Sequence, residues 1–122
     1  MQKVYRIFVE KRLPFAVEAE HHFQDITQNL GIASLTHLRL FNRYDVQGID
    51  DTIFAAATKT IFAEPPVDVT YAELPQIPGS RIFGIQFLPG QFDQRADSCA
   101  QSIQLFTQKQ RPFVKSAKIF VL

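Results

Sequence analysis

Hydrophobic and polar positions follow two different periods in the first part of the chain. The segment 3–10, KVYRIFVE, alternates between the two classes and is rich in β-branched and aromatic residues, which predicts a strand. Leu13 and Pro14 interrupt this alternation. From 15 to 30 the apolar positions recur every three or four residues, which predicts an amphipathic helix that ends at Gly31.

The same two periods continue along the rest of the chain. They predict strands at 35–41, 67–74, 81–88 and 114–122, and helices at 50–62 and 92–108. Asp50 or Asp51 is suited to cap the first of these helices, and Pro65 and Pro66 follow its end. The predicted fold class is therefore α+β, with an antiparallel sheet and helices packed on one face in a ferredoxin-like arrangement.

Two parts of the chain resemble each other in sequence. Matching residues or short runs lie 75 to 79 positions apart: 6–8 with 81–83, 13–14 with 88–89, Phe15 with Phe92, and Phe41 with Phe120. Any two strand–helix–strand units share a periodicity, but the identities RIF and LP at one common offset favour a true repeat. We interpret the chain as a duplicated strand–helix–strand unit.

The length of 122 residues is that of one domain, which we divide into two repeats. The first copy, about 1–75, includes a further helix and a third strand, whereas the second, about 76–122, stops inside an apolar strand. We therefore expect the second copy to be truncated and the chain to be part of a longer protein. If the last strand is an exposed edge, a homodimer through that strand is a further expectation.

Composition narrows the class of protein. Hydrophobic residues make up 46% of the chain and charged residues 20%, which is enough apolar material for a packed core. The net charge of +1 argues against a nucleic-acid or membrane-surface partner. No apolar run approaches the ~20 residues that span a bilayer, and Cys99, the single cysteine, can form no internal disulfide. These features indicate a cytoplasmic protein.

No self-contained active site, cofactor site or metal site is predicted. His21 and His22 are adjacent on a helix and point to different faces, whereas metal-binding pairs on a helix are three or four residues apart. Cys99 has no nearby histidine in the sequence, so we interpret it as a buried structural residue. Glycine-rich phosphate-binding motifs and a nucleophile elbow are also absent from the sequence.

Two polar clusters remain as candidate docking sites for a neighbouring domain. One follows the predicted second strand, and the other lies at the start of the last predicted helix. Their candidate docking residues are Arg43, Tyr44, Asp45, Gln91, Asp93, Gln94, Arg95, Asp97 and Ser98. Asp93 is a suitable helix N-cap, and Asp97 suits the positive end of the helix dipole.

Arg95 is the unusual member of the second cluster. A cation in the first turn of a helix is unfavourable by up to about 1 kcal/mol, and no carboxylate lies three or four residues further along. The first copy has Glu18 at the matching place. Arg95 is therefore expected to meet a carboxylate within the fold, a neighbouring domain or an anionic ligand.

These residues also carry a resemblance to a known family. The stretches LFNRYDVQGI, FAEPPVD, LPGQFDQRADSCAQSIQLFTQKQRP and SAKIFVL resemble the N-terminal domain of the single-chain form of phosphoribosylformylglycinamidine synthase. The resemblance extends over the whole chain. That domain of the family is similar to a fused dimer of the small PurS subunit, which agrees with the internal repeat.

The resemblance implies a role in assembly rather than in catalysis. The family's full enzyme amidates formylglycinamide ribonucleotide in de novo purine biosynthesis, using glutamine and ATP. Its synthetase domain binds ATP and magnesium, and its glutaminase domain supplies ammonia. The N-terminal domain bridges these two domains and helps to form the ammonia path. For this chain the resemblance implies no cofactor and no activity of its own. It suggests that Arg95, with Asp93, Gln94 and Asp97, forms a docking surface toward the synthetase domain or the ammonia route.

Two other classes of function are open at this point. The first is a free-standing regulatory domain of the ACT type, which would bind a small molecule in a groove between the two halves. The second is an RNA-recognition module, because the strands are rich in aromatic residues. The near-zero net charge argues against the RNA-binding alternative, and those aromatics are better interpreted as core residues.

Overall fold

The computed structural model describes residues 3–88 and 90–122, and the match of Pro14 with Pro89 lies outside the described residues. Helices and strands alternate along this part of the chain: β1 (Tyr5–Lys11), α1 (Val17–Gln24), β2 (Arg39–Gln47), α2 (Asp51–Thr60), β3 (Asp68–Tyr71), β4 (Ile82–Gln86), α3 (Gln94–Thr107) and β5 (Phe113–Val121). A short 3-10 turn at Leu13–Phe15 precedes α1, and a π-type turn at Asp25–Asn29 follows it.

The five strands of the described residues form one antiparallel sheet in the order β3-β1-β2-β5-β4. All three helices lie on the same face. Helices α2 and α3 pack on the central strands, and α1 reaches the far end of β5, where the His22 ring meets the Phe120 ring edge-on at 5.2 Å. The predicted α+β fold with an antiparallel sheet and helices on one face is confirmed.

Each face of the sheet carries its own apolar cluster, because successive side chains of a strand point to opposite faces. The cluster under the helices joins strand residues to α2, α3 and the residues after α2: Tyr5, Ile7, Val9, Tyr44, Val46, Ala57, Phe62, Ala63, Cys99 and Ile103. The cluster on the opposite face is smaller: Phe8, Phe41, Ala117, Ile119 and Val121. Leu74 and Ile77 from the segment after β3 pack on this second cluster.

The predicted second strand at 35–41 is wrong in its bounds, since β2 runs from Arg39 to Gln47. The polar cluster that was expected to follow the strand lies in its middle. Arg43 and Asp45 point away from the helices, where Asp45 accepts a hydrogen bond from Arg6 at 2.6 Å and Arg43 donates to Gln86 at 3.1 Å. Partners on β1 and β4 therefore keep this polar run extended.

The first helix is shorter than the predicted range 15–30. Helix α1 ends at Gln24 and buries none of its residues, and the side chain of Val17 is 74% exposed. The hydroxyl of Thr27 donates to the carbonyl of Phe23 at 2.8 Å within the π-type turn that follows. Such back-bonding competes with the regular helix pattern, which accounts for the irregular second half.

The prediction that the last strand is an exposed edge is wrong. Strand β5 lies between β2 and β4, and the edges of the sheet are β3 and β4. A homodimer through β5 therefore loses its structural basis, because β2 pairs with one side along the whole strand and β4 pairs with the other side from Ala117 to Val121.

The matched residues of the two copies do not occupy equivalent places. Ile7 faces the helices, whereas Ile82 pairs with Val121, whose side chain lies in the cluster on the opposite face. Phe41 and Phe120 are likewise on opposite faces. The chain does contain two strand–helix–strand units with their second strands paired, and the duplication itself stays a prediction.

Candidate functional site

A groove with a volume of about 860 Å³ opens on the helix face of the sheet. It lies between the start of α3 and the segment that joins α2 to β3. Residues Asn42, Tyr44, Ser116 and Lys118 of the two central strands line it, and Ile85 lies at the side of β4. The groove therefore contacts both strand–helix–strand units.

The groove brings together six of the nine predicted docking residues. These six are Tyr44, Gln91, Asp93, Gln94, Arg95 and Ser98. The other three lie elsewhere. Arg43 and Asp45 are on the opposite face of the sheet, and Asp97 forms an ion pair with Arg111 on the exposed side of α3. One surface containing all nine residues is therefore excluded by the fold.

Asp93 is the N-cap of α3, as predicted, and it also ties the helix to the sheet. Its carboxylate accepts a hydrogen bond from the backbone N–H of Ala96 at 3.0 Å. It also accepts from the backbone N–H of Ser116 at 2.9 Å and from the Ser116 hydroxyl at 2.8 Å. These contacts use the carboxylate internally, so Asp93 positions the groove wall and is not free for docking.

Arg95 extends over the groove floor and donates a hydrogen bond from Nη1 to the hydroxyl of Tyr44 at 3.2 Å. Within residues 3–88 and 90–122, no carboxylate lies within ion-pair distance of its guanidinium. Burial lowers the pKa of Arg95, but the hydrogen bond to Tyr44 and the nearby charges, including that of Glu18, together outweigh this and the pKa is raised overall. Glu18 thus acts on Arg95 only at longer range, and a direct internal ion pair, one of the predicted possibilities, is excluded for the described residues.

Tyr44 and Asn42 supply the polar groups of the groove floor. Burial raises the pKa of the Tyr44 phenol, and the nearby Arg95 opposes this rise. The phenol is therefore neutral at physiological pH and retains a hydrogen that it can donate. The Oδ1 atom of Asn42 is buried and has no hydrogen-bond partner among the described residues.

Most other charges around the groove are paired within the fold. Lys11 lies 3.0 Å from Asp68, and Lys118 pairs with Glu18 of α1. The sequence indicated no role for these lysines, and their pairs could not be predicted because the partners are distant in sequence. Asn42 begins the polar run NRYD of the first predicted cluster but is not among the nine candidate docking residues. It could have been added to them, because it is two positions before Tyr44 on the same strand and must share its face.

Cys99 lines the groove wall but is unsuited to nucleophilic chemistry. Its residue is only 7% exposed, as expected for a structural cysteine. Burial raises the pKa of the thiol to about 11, which keeps it protonated at neutral pH. The described part of the chain contains no group of three or more His, Cys, Asp and Glu side chains arranged to hold a metal ion.

Strand β4 forms an apolar edge beside the groove. Its side chains are all exposed, with Ile82 at 54% and Ile85 at 58%, and the strand carries no charged residue. Phe83 stacks on Phe120 with ring centroids 5.1 Å apart, and Phe87 and Phe92 after the strand are also exposed. Natural sheets normally protect such edges with charges, proline or a covering segment.

None of the described helices has the length and apolar character required to cross a membrane. No protein-family model matches this chain, and neither a curated protein nor a solved structure matches it.

Proposed function

We propose that the chain is a non-catalytic assembly domain of phosphoribosylformylglycinamidine synthase, acting in the cytoplasm. In this proposal it bridges the synthetase and glutaminase domains of that enzyme and helps ammonia transfer between them. The identity of the enzyme rests on the resemblance of the sequence stretches quoted above. The observation that carries the assembly role is the uncharged, exposed edge of β4.

The chemistry of β4 supports docking on another protein surface. One side of its backbone pairs with β5, and the outer side has no strand neighbour among the described residues. An apolar edge of this kind gains free energy when a partner covers it, both from burial and from backbone hydrogen bonds. Gln91, Gln94 and Ser98 at the start of α3 are exposed and provide polar groups at the side of this edge. An apolar centre with polar groups around it is the usual organisation of a protein interface.

A binding and complementation experiment tests the proposal. The chain is titrated against the separately expressed synthetase-plus-glutaminase remainder of the enzyme, and binding and glutamine-dependent turnover are both measured. We expect a saturable complex that restores turnover. If the native chain neither binds nor restores turnover, the proposed assembly role is wrong.

A pair of variants tests whether β4 is the docking edge. Ile82→Lys places a charge on the edge without disturbing a buried residue, and Leu105→Lys makes the same change at an exposed position of α3, where the side chain is 72% exposed. Ile82→Lys should weaken binding by about tenfold or more, since a lysine buried in an apolar contact is strongly unfavourable. Leu105→Lys should leave binding unchanged, and equal effects of the two variants would remove β4 from the interface.

A further inference from the structure

The groove contains hydrogen-bond donors that the fold does not use. A guanidinium offers several N–H donors in a fixed plane, and among the described residues Arg95 makes a single hydrogen bond, to the hydroxyl of Tyr44. Tyr44 is the acceptor in this bond, so its own O–H remains able to donate. The two side chains therefore present adjacent donors to the groove, one of them cationic. This is the arrangement that recognises a carboxylate or another anionic oxygen.

The same groove also contains acceptors. The Oδ1 atom of Asn42 is inaccessible to solvent and lacks a hydrogen-bond partner among the described residues, which is unfavourable, so a turn of the Asn42 amide toward the groove would let a ligand donor satisfy it. Asn42 lines the groove together with Arg95, and both also line a smaller cavity that continues toward α1. Glu64 lies at the edge of the groove and forms no ion pair within residues 3–88 and 90–122. A group that fills the groove is thus favoured if it carries an N–H donor as well as an anion.

We infer that the groove binds a small molecule carrying both a carboxylate and an N–H donor, such as a free amino acid. The carboxylate is held by Arg95 and Tyr44, and the amide of Asn42 turns so that its Oδ1 atom accepts a hydrogen bond from the N–H group of the ligand. The volume of about 860 Å³ is in the range of small-molecule sites in proteins. This inference goes beyond the assembly role and does not depend on it, because docking is assigned to the outer edge of β4 and ligand binding to Asn42, Tyr44 and Arg95 in the groove. The two surfaces meet at Ile85, Gln91, Gln94 and Ser98, which line the groove.

The test is an NMR titration of the intact, isotope-labelled chain. The common free L-amino acids, with asparagine and glutamine included, are each added at millimolar concentration, and acetate and methylammonium are added as half-ligands. We expect at least one amino acid to give saturable shifts at Asn42, Tyr44 and Arg95, with tighter binding than acetate. Absence of such shifts with every amino acid would overturn the inference. Acetate binding as tight as any amino acid would overturn the assigned ligand class.

Single substitutions test which residues of the groove contact the carboxylate and which contact the N–H group of the ligand. Arg95→Gln should weaken binding by about tenfold or more, because a charge-assisted contact is lost. Arg43→Gln is the matched control, since this arginine lies on the opposite face of the sheet and is hydrogen-bonded to Gln86. If the two arginine variants bind equally well, the groove is not the binding site.

Asn42→Leu provides a readout that a purely structural role would not give. Asn42 forms no side-chain hydrogen bond with the described residues, so an apolar side chain of similar shape should leave the melting temperature unchanged or raise it. The same variant should lose affinity for the amino acid but retain the weak binding of acetate. Retained amino-acid affinity would overturn the role of Asn42. Ile82→Lys should leave binding intact, which separates this inference from the docking proposal.

Discussion

Replacing Asp93 by alanine is expected to destabilise the fold more than the same change at Asp50, although both residues are helix N-caps. Asp50 accepts one backbone hydrogen bond, from Ile53 at 2.8 Å, at an exposed position. Asp93 accepts the equivalent bond from Ala96 and, in addition, two bonds from Ser116 on β5. The two residues therefore differ in one respect, which is the link between the helix and the sheet.

The topology explains why this link matters. The pairing of β4 with β5 ends at Gln86 and Ala117, so the next backbone N–H on that side of β5 belongs to Ser116. The Asp93 carboxylate takes the place of the missing strand partner for this N–H. Ser116 is buried, and a buried N–H without an acceptor is unfavourable by about 1–3 kcal/mol.

These contacts set the expected magnitudes. Loss of a helix cap alone costs about 1 kcal/mol, which is the value expected for Asp50→Ala. Asp93→Ala should cost about 3 kcal/mol, because the unsatisfied Ser116 N–H adds to the loss of the cap. Asp93→Asn should fall between these values, since asparagine is a good cap but has one acceptor atom to share between the N–H groups of Ala96 and Ser116. Asp97→Ala, which removes an exposed ion pair, should cost less than about 1 kcal/mol.

Urea unfolding of the four variants measures these differences, provided that the dependence of the unfolding free energy on urea is unchanged. A double-mutant cycle with Ser116→Ala then isolates the part of the effect that depends on the serine hydroxyl. If Asp93→Ala and Asp50→Ala reduce the unfolding free energy equally, the proposed link between α3 and β5 contributes nothing and the reasoning is refuted.

Three further results are expected. Burial raises the pKa of the Cys99 thiol from 9.0 to about 11, so the contribution of the neutral thiol to stability is complete below pH 9.0 and is lost as the pH rises through about 11. The free energy of unfolding of wild type and Cys99→Ala across this pH range measures this contribution. Rapid alkylation of the thiol in the native chain at neutral pH would contradict its burial. Ile103→Ala should cost about 3 kcal/mol, since this side chain is fully buried, whereas exposed Leu105→Ala should cost less than about 0.5 kcal/mol in the same urea experiment. Gly48→Ala should cost about 1–2 kcal/mol because the glycine has a φ of 95°, and a melting temperature equal to that of wild type would disprove this strain.

Local signals predicted the features of the fold that depend on neighbouring residues in the sequence. Asp50 and Asp93 cap their helices as their positions before apolar-periodic segments indicated. Strand β5 and helix α3 lie within two residues of their predicted bounds. Helix caps and hydrophobic periodicity both depend on residues that are close in the sequence, so they can be recognised without knowledge of the tertiary structure.

Features that depend on distant partners could not be predicted in the same way. The run NRYD looks polar enough for a loop, but Arg43 and Asp45 are held in β2 by partners on β1 and β4. The alternation of 81–88 resembles that of a central strand, and only the strand order places β4 at an edge. Likewise, the groove requires the start of α3 to lie over Asn42, which is a consequence of how α3 connects β4 to β5.

Arg95 is expected to have only a small effect on the stability of the fold, which makes it a suitable residue for testing the inferred ligand site. Its position in the first turn of α3 is unfavourable by up to about 1 kcal/mol, and its hydrogen bond to Tyr44 contributes about 1 kcal/mol in return. The folded chain therefore gains almost nothing from this arginine, and Arg95→Gln should change the unfolding free energy by less than about 1 kcal/mol. A loss of amino-acid binding in this variant can then be assigned to the guanidinium itself, since the fold that presents it is unchanged.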